Sequence, residues 1–222
     1  MDNSILDILI NPDTFFGKRV ADKENLKTPA LIVLAGAIIG AIYGYMVSGL
    51  TGRMLAGLMP GMETIIIIAT IAGALIGSFL FWAIWAGVFY VISKAFKGTG
   101  TYKRSLEVVG YGFLPQIIGS LITLIVSLQY IPKVVVPQLT SAALQDPTAI
   151  TEATKALMHD PAMMELTQIA SVIAIVFLLW SANCWIFGMK HARTLSMRDA
   201  AICVGAPVFV YVLYIVYSMA GV

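Results

Sequence analysis

Five long apolar runs, nearly free of charge, constrain this 222-residue chain more than any other feature. They cover 30–50, 64–93, 106–131, 166–189 and 199–220, and the only charges in those 123 residues are Glu107 and Asp199. A helix rises about 1.5 Å per residue and a bilayer's hydrocarbon core is about 30 Å thick, so about 20 apolar residues cross it. A charge at the centre of a span costs about 2.5–3.5 kcal/mol on insertion scales, and both charges sit within the first two residues of their runs. The sequence therefore predicts an all-α integral membrane bundle of five transmembrane helices. Composition agrees, with 12% charged residues against about 25% in soluble domains. A soluble globule is excluded, and so is disorder, which needs low hydrophobicity and high net charge.

The basic residues set an orientation. Lys18, Arg19, Lys23, Lys27, Lys94, Lys97, Lys103, Arg104, Lys190, Arg193 and Arg198 fall on one side, and Arg53, Lys133 and Lys155 on the other. The split of 11 to 3 places the N terminus in the cytoplasm and the C terminus outside, or in a lumen if the source has organelles; the expected location is a cell membrane, a prokaryotic plasma membrane being favoured and an endomembrane the alternative in a eukaryote. Trp85, Phe89, Tyr90 and Trp185 near inner ends, and Tyr130 and Tyr217 near outer ends, read as aromatic belts.

The chain divides into a cytosolic segment at 1–29 and a membrane domain at 30–222. Met1 is followed by Asp2 and Asp7 rather than by a basic region, unlike a secretory signal. Asn11 and Pro12 read as a helix start, and Phe15, Phe16 and Val20 beside Lys18, Arg19 and Lys23 give an interfacial helix on the membrane. The second run, too long for the bilayer, projects inward to Lys94–Lys97. The outer loop at 132–165 repeats a cap-plus-proline start at Asp146–Pro147 and Asp160–Pro161. Ile150, Ala153, Leu157 and Met158 between them predict a short amphipathic helix, a lid or a brace, and the second start leads into the fourth span.

The faces of the runs carry further signals. Gly36, Gly40, Gly44 and Ser48 recur at steps of four and form a small-residue packing seam, whose simplest partner is Thr70, Gly73 and Gly77 in the second span. Homodimerisation through the same motif is the alternative. Gln116, Ser120, Thr123 and Ser127 form a polar stripe along the third span, which either lines a path or bonds across a helix interface. Gly110, Gly112 and Pro115 predict a kink there, because proline leaves the Tyr111 carbonyl without its donor. Pro207, after Gly205, predicts a second break at similar depth.

Reactive groupings are missing. Gly98, Thr99 and Gly100 only faintly resemble a phosphate-binding turn and read as a plain turn. His159 and His191 fall on opposite sides, and Cys184, His191 and Cys203 lack zinc-site spacing. No serine, histidine and acid grouping points to hydrolysis. The expectation is no enzyme, no metal, no cofactor and no nucleic-acid partner, the net charge being only +2.

The whole layout, with Asn11, Pro12, Phe15 and Phe16 ahead of the first span and Glu107, Gly110, Tyr111, Gly112 and Pro115 opening the third, resembles the Yip family of membrane proteins, named for interaction with Ypt/Rab GTPases. Gly188, Met189, Lys190, Leu195, Ser196, Ala200, Ala201 and Pro207 are similar to its last two spans. Eukaryotic members usually carry a long hydrophilic segment before the first span, and about 29 residues stand here, so the likeness is to the short prokaryotic members. The resemblance implies a non-enzymatic protein that organises the bilayer or recruits a cytosolic or membrane protein partner, with Glu107, Gly110, Tyr111 and Pro115 as its element. A small transporter, channel or lipid-moving protein using the polar stripe is the alternative.

Overall fold

The structure, a computed structural model, describes residues 5–56, 62–139, 146 and 148–219. Its elements are α1 (Asp7–Ile10), α2 (Pro12–Arg19), α3 (Lys27–Leu55), α4 (Met62–Ala95), α5 (Tyr102–Tyr111), α6 (Leu114–Tyr130), α7 (Ala149–Met158), α8 (Pro161–Ala192) and α9 (Met197–Met219). A 3-10 turn at Ile131–Lys133 follows α6. Five helical segments are long and apolar enough to cross a membrane, as expected from the five runs. The third of them is two helices, α5 and α6, joined at Gly112–Phe113.

The long helices close into a ring, in which α3 packs on α4, α4 on α9, α9 on α8, α8 on α6, and α6 back on α3. At one end α1, α2 and α5 pack on the ring, and this is called the α5 end below. At the other, α7 buries Ala153 and Leu157 in a small cluster with Leu50, Met54, Ile131, Val134, Leu139 and Leu166. The amphipathic helix therefore forms and packs against Leu50 and Met54 of α3 and Leu166 of α8, while Ile150 and Met158 stay exposed. Of the Asp146–Pro147 start, Pro147 lies outside the described residues. The Asp160 carboxylate caps α8 by accepting from Ala162 N at 2.9 Å and Met163 N at 3.2 Å.

The break between α5 and α6 has a local cause. Pro115 has no N–H, and the Phe113 N–H turns to the Gly110 carbonyl at 3.3 Å, so the Val109 carbonyl loses its helical donor. A buried carbonyl left unpaired costs about 1–3 kcal/mol. Trp185 of α8 supplies the missing bond, its Nε1–H donating to Val109 O at 2.8 Å. Trp82 of α4 donates to Leu106 O, also at 2.8 Å. Both indoles reach the backbone only because glycines stand beside them. A Cβ at Gly112 would lie 2.1 Å from Trp185 Cδ1, and one at Gly110 2.6 Å from Pro29 Cβ.

Trp185 is fully buried and stacks on Trp85 with ring centroids 5.4 Å apart, while Phe113 and Phe89 close around it at 5.2 and 5.5 Å. Trp85, Phe89 and Trp185 are therefore core residues and not an interfacial belt. Their position near the helix ends suggested a belt, but the break in the third span creates backbone acceptors that draw the indole inward.

Two further expectations are corrected. Only part of the small-residue seam packs α3 on α4: a Cβ at Gly44 would sit 2.8 Å from Thr70 Cγ2, whereas Gly36 faces Ile117 of α6. Gly40, Gly73 and Gly77 have open space where a Cβ would stand. Steps of four drift slowly around a helix, so a long series cannot keep one neighbour. Pro207 likewise lies inside α9, which runs through it without interruption.

These contacts separate the glycines by consequence. Gly112→Ala is expected to lower thermal stability in detergent by about 3 kcal/mol or to abolish folding, as overpacking in cores does. Gly73→Ala and Gly77→Ala are expected to be neutral, all three being read by fluorescence-detected size exclusion after heating.

Candidate functional site

At the α5 end, Glu107, Gly110 and Tyr111 meet the N-terminal segment, while Pro115 is buried in the first turn of α6. Helix α2 starts because the Asn11 side chain accepts from Thr14 N at 3.3 Å and Pro12 holds the first turn. Its aromatic side is covered by protein rather than lying free on the membrane. Phe16 is fully buried and Phe15 nearly so, and their rings meet Tyr111 at 6.5 and 5.3 Å. A Cβ at Gly188 of α8 would be 3.1 Å from Val108 and 3.5 Å from Phe16, so that glycine lets three elements meet.

Glu107 is the hinge of this arrangement. Its side chain is fully buried and takes an ion pair from Arg19 of α2 and another from Arg104 at 2.6 Å. Asn25 N donates to the Glu107 Oε1 at 3.3 Å. Arg104 extends the network by donating to the backbone carbonyls of Asp22 at 2.5 Å and Arg19 at 3.4 Å. One carboxylate on α5 thus holds the chain from Arg19 to Asn25 against the bundle. Desolvating a charge is costly unless it is paired and hydrogen-bonded, and here every partner comes from the segment or from the same helix.

A second contact lies alongside. Asp13 accepts from Lys190 Nζ at 2.8 Å and from His191 Nε2 at 2.6 Å. Its hydrogen bond to Lys190, then that to His191, holds its carboxyl below the ordinary carboxylate value.

Behind these sits Arg193, only 2% exposed. It donates from Nε to Ser93 Oγ at 2.9 Å, from Nη2 to Gly98 O at 2.6 Å, and from Nη1 to Gly100 O, with its guanidinium 4.4 Å from the Tyr90 ring centre. The glycine turn that faintly resembled a phosphate cradle therefore presents carbonyls to a cation. Gly100 adopts φ +95, a region that favours glycine. In the sequence Arg193 counts only toward orientation, and Arg19 toward orientation and the polar side of the interfacial helix. Arg104 and Glu107 at a spacing of three were a legible signal; Arg19 was not, because its partner is distant in the chain.

The rim of the α5 end is basic, with Lys18, Lys23, Lys27, Lys97, Lys103 and Arg198 all exposed. Between α2 and the start of α3 opens a groove of about 650 Å³, with Ile5, Phe15 and Tyr111 among its apolar walls and Arg19, Lys23 and Lys27 among its cations.

The polar stripe divides. Gln116, Ser120 and Thr123 line a cavity of about 290 Å³ inside the helix ring, and Gln116 and Ser120 also line a neighbouring one of about 140 Å³. Ser127 does not line either cavity; it is buried, donates to Leu124 O at 2.6 Å and lies 3.9 Å from Met46 Sδ of α3. No group of three or more His, Cys, Asp or Glu side chains among the described residues could hold a metal ion.

The sequence model described as Yip1 domain matches residues 6–219. An uncharacterized protein of Methanocaldococcus jannaschii is 38% identical over 122 residues, which cover 54% of this chain and 86% of that protein. No solved structure matches the chain.

Two expectations follow from the α5-end contacts. Glu107→Gln removes the anion that the partly buried Arg19 and Arg104 share, while Asp22 and backbone carbonyls still face them, and is expected to cost about 1–3 kcal/mol, with faster tryptic cleavage after Lys23 and Lys27. The Asp13 contribution to stability is expected to change only in acid. Because the folded-state pKa of Asp13 is lowered, its contribution is complete above the unfolded value of about 3.9 and is lost as the pH falls through the folded one. Melting curves of the protein and its Asp13→Asn variant should therefore differ at neutral pH and converge below about pH 4.

Proposed function

The chain belongs to the Yip1 domain family, and from that premise we propose that it is a non-enzymatic multi-pass membrane protein that recruits a protein partner at its α5 end, with that end in the cytosol. The observation that carries the reading is the groove between α2 and α3, floored by the buried Phe15 and Tyr111 and edged by exposed Ile5, Lys23 and Lys27 beside Asp22 and Glu24. A mostly polar cleft with three cations and one exposed apolar residue, Ile5, suits a charged protein surface, and the basic rim suits the anionic leaflet beside it. The docked segment gives the groove a fixed shape, since Glu107 and Asp13 fasten it from two sides. The orientation rests on the excess of Lys and Arg at this end, and the cell membrane is the proposed location.

A second reading, a small transporter or lipid-moving protein, draws on the cavity beside Gln116. It lacks a charged coupling residue in the lining, where proton- or ion-driven transport commonly places one.

The recruiting surface is tested without disturbing the buried pairs. A photoreactive residue in place of Lys27 is expected to crosslink a discrete cytosolic or membrane protein in cells, and Lys23→Glu with Lys27→Glu to reduce that product at least fivefold while thermal stability is unchanged. Crosslinks to lipid alone, or the same products in the double variant, would overturn the reading.

A further inference from the structure

The lumen of the helix ring carries hydrogen-bonding groups that no described residue bonds. The larger cavity is lined by α3, α4, α6, α8 and α9, the five members of the ring. Gln116 Nε2 is buried there without a hydrogen-bond partner among the described residues. Ser120, Thr123, Tyr43 and Tyr211 stand in the same walls, and none of their hydroxyls makes a hydrogen bond to another described residue. Leaving a buried amide donor unpaired costs about 1–3 kcal/mol, so a site that keeps one at bilayer depth calls for an acceptor from outside the chain.

The walls also say what that acceptor cannot be. No Asp, Glu, Lys, Arg or His lines either cavity, and an unpaired charge taken into such a lining would be strongly disfavoured. The remaining surface is apolar, with Ile39, Phe177, Leu178 and Ile215. Gly40 leaves open space beside it, where a Cβ would meet nothing within 4 Å. Ring position fixes the depth: Gly40 lies thirteen residues into α3, about 20 Å along its axis, which is mid-bilayer for a spanning helix.

We propose that this lumen binds an uncharged lipid, whose carbonyl or hydroxyl oxygen accepts from the Gln116 amide while its apolar chain lies along Ile39, Phe177 and Ile215. Lipid is the solvent at this depth, and a neutral headgroup is the only kind the lining can take in without a counter-charge. The site is separate from the groove at the α5 end and stands whether or not that groove recruits a protein.

The test uses the full chain in phosphatidylcholine nanodiscs containing a diacylglycerol with a diazirine in its acyl chain. After irradiation, saturable labelling is expected on peptides carrying residues 39–43, 116–123 and 170–178, competed by unlabelled diacylglycerol and weak with the matching phosphatidic acid probe. Gly40→Leu, whose Cβ would meet nothing within 4 Å and whose side chain would enter the lumen, and Gln116→Leu are each expected to cut that labelling at least fivefold. Gly40→Leu should do so with an unchanged melting temperature, and it decides alone if the Gln116 variant fails to fold. Lys23→Glu with Lys27→Glu should leave the labelling intact, so failure of the groove reading is told apart from failure of this one. Labelling that does not saturate, that is unchanged in Gly40→Leu, or that is as strong with phosphatidic acid would overturn the proposal, as would a lumen that holds only water and takes up no probe.

Discussion

A helix cannot be interrupted inside a bilayer unless the backbone groups it frees find partners, since lipid offers none. The break at Gly112–Phe113 brings this constraint into the third span, and much of the α5 end is a response to it. Trp185 reaches across from α8 to the Val109 carbonyl, and its indole then becomes the centre around which Trp85, Phe89 and Phe113 pack. The two glycines that weaken the helix also admit the indoles that repair it. Breaking and healing are thus one design, and neither Gly110 nor Gly112 is replaceable without moving a tryptophan or a proline.

The same break gives Glu107 its role. A ten-residue helix at the end of the ring can carry a carboxylate that a continuous span through the bilayer centre could not, because its partners arrive from outside the lipid. Arg19, Arg104 and Asn25 surround it, and the N-terminal segment becomes part of the fold rather than a tail resting on the membrane. Arg193 solves the matching problem for a cation with carbonyls and a ring in place of an anion. Charge at this end is therefore structural where it is buried and available where it is exposed.

Beyond Phe113 the chemistry changes. The lumen has polar groups without charge and without mutual bonds, and the walls include Gly40, where the small-residue series leaves room instead of closing a contact. Small residues in membrane helices do two jobs in this molecule. At Gly44 of α3 they admit Thr70 and at Gly119 of α6 they admit Phe177 of α8, each within 2.8 Å of where a Cβ would stand; at Gly40 they leave a space. Spacing alone does not distinguish the two, because the outcome depends on which helix lies opposite.

The number of helices able to cross a membrane, the helical class and the weak point before Pro115 were all legible in the sequence, because each depends on a local property: apolar length, charge exclusion, or a missing N–H. The Yip1-like layout was legible for the same reason, as an ordered series of such segments. What only the tertiary structure decided was which residues meet. That Arg19 answers Glu107, that Trp185 answers Val109, that Gly73 and Gly77 face open space and that Ser127 leaves the polar stripe all follow from how five helices close into a ring, and hydropathy along one helix carries no information about the face of another.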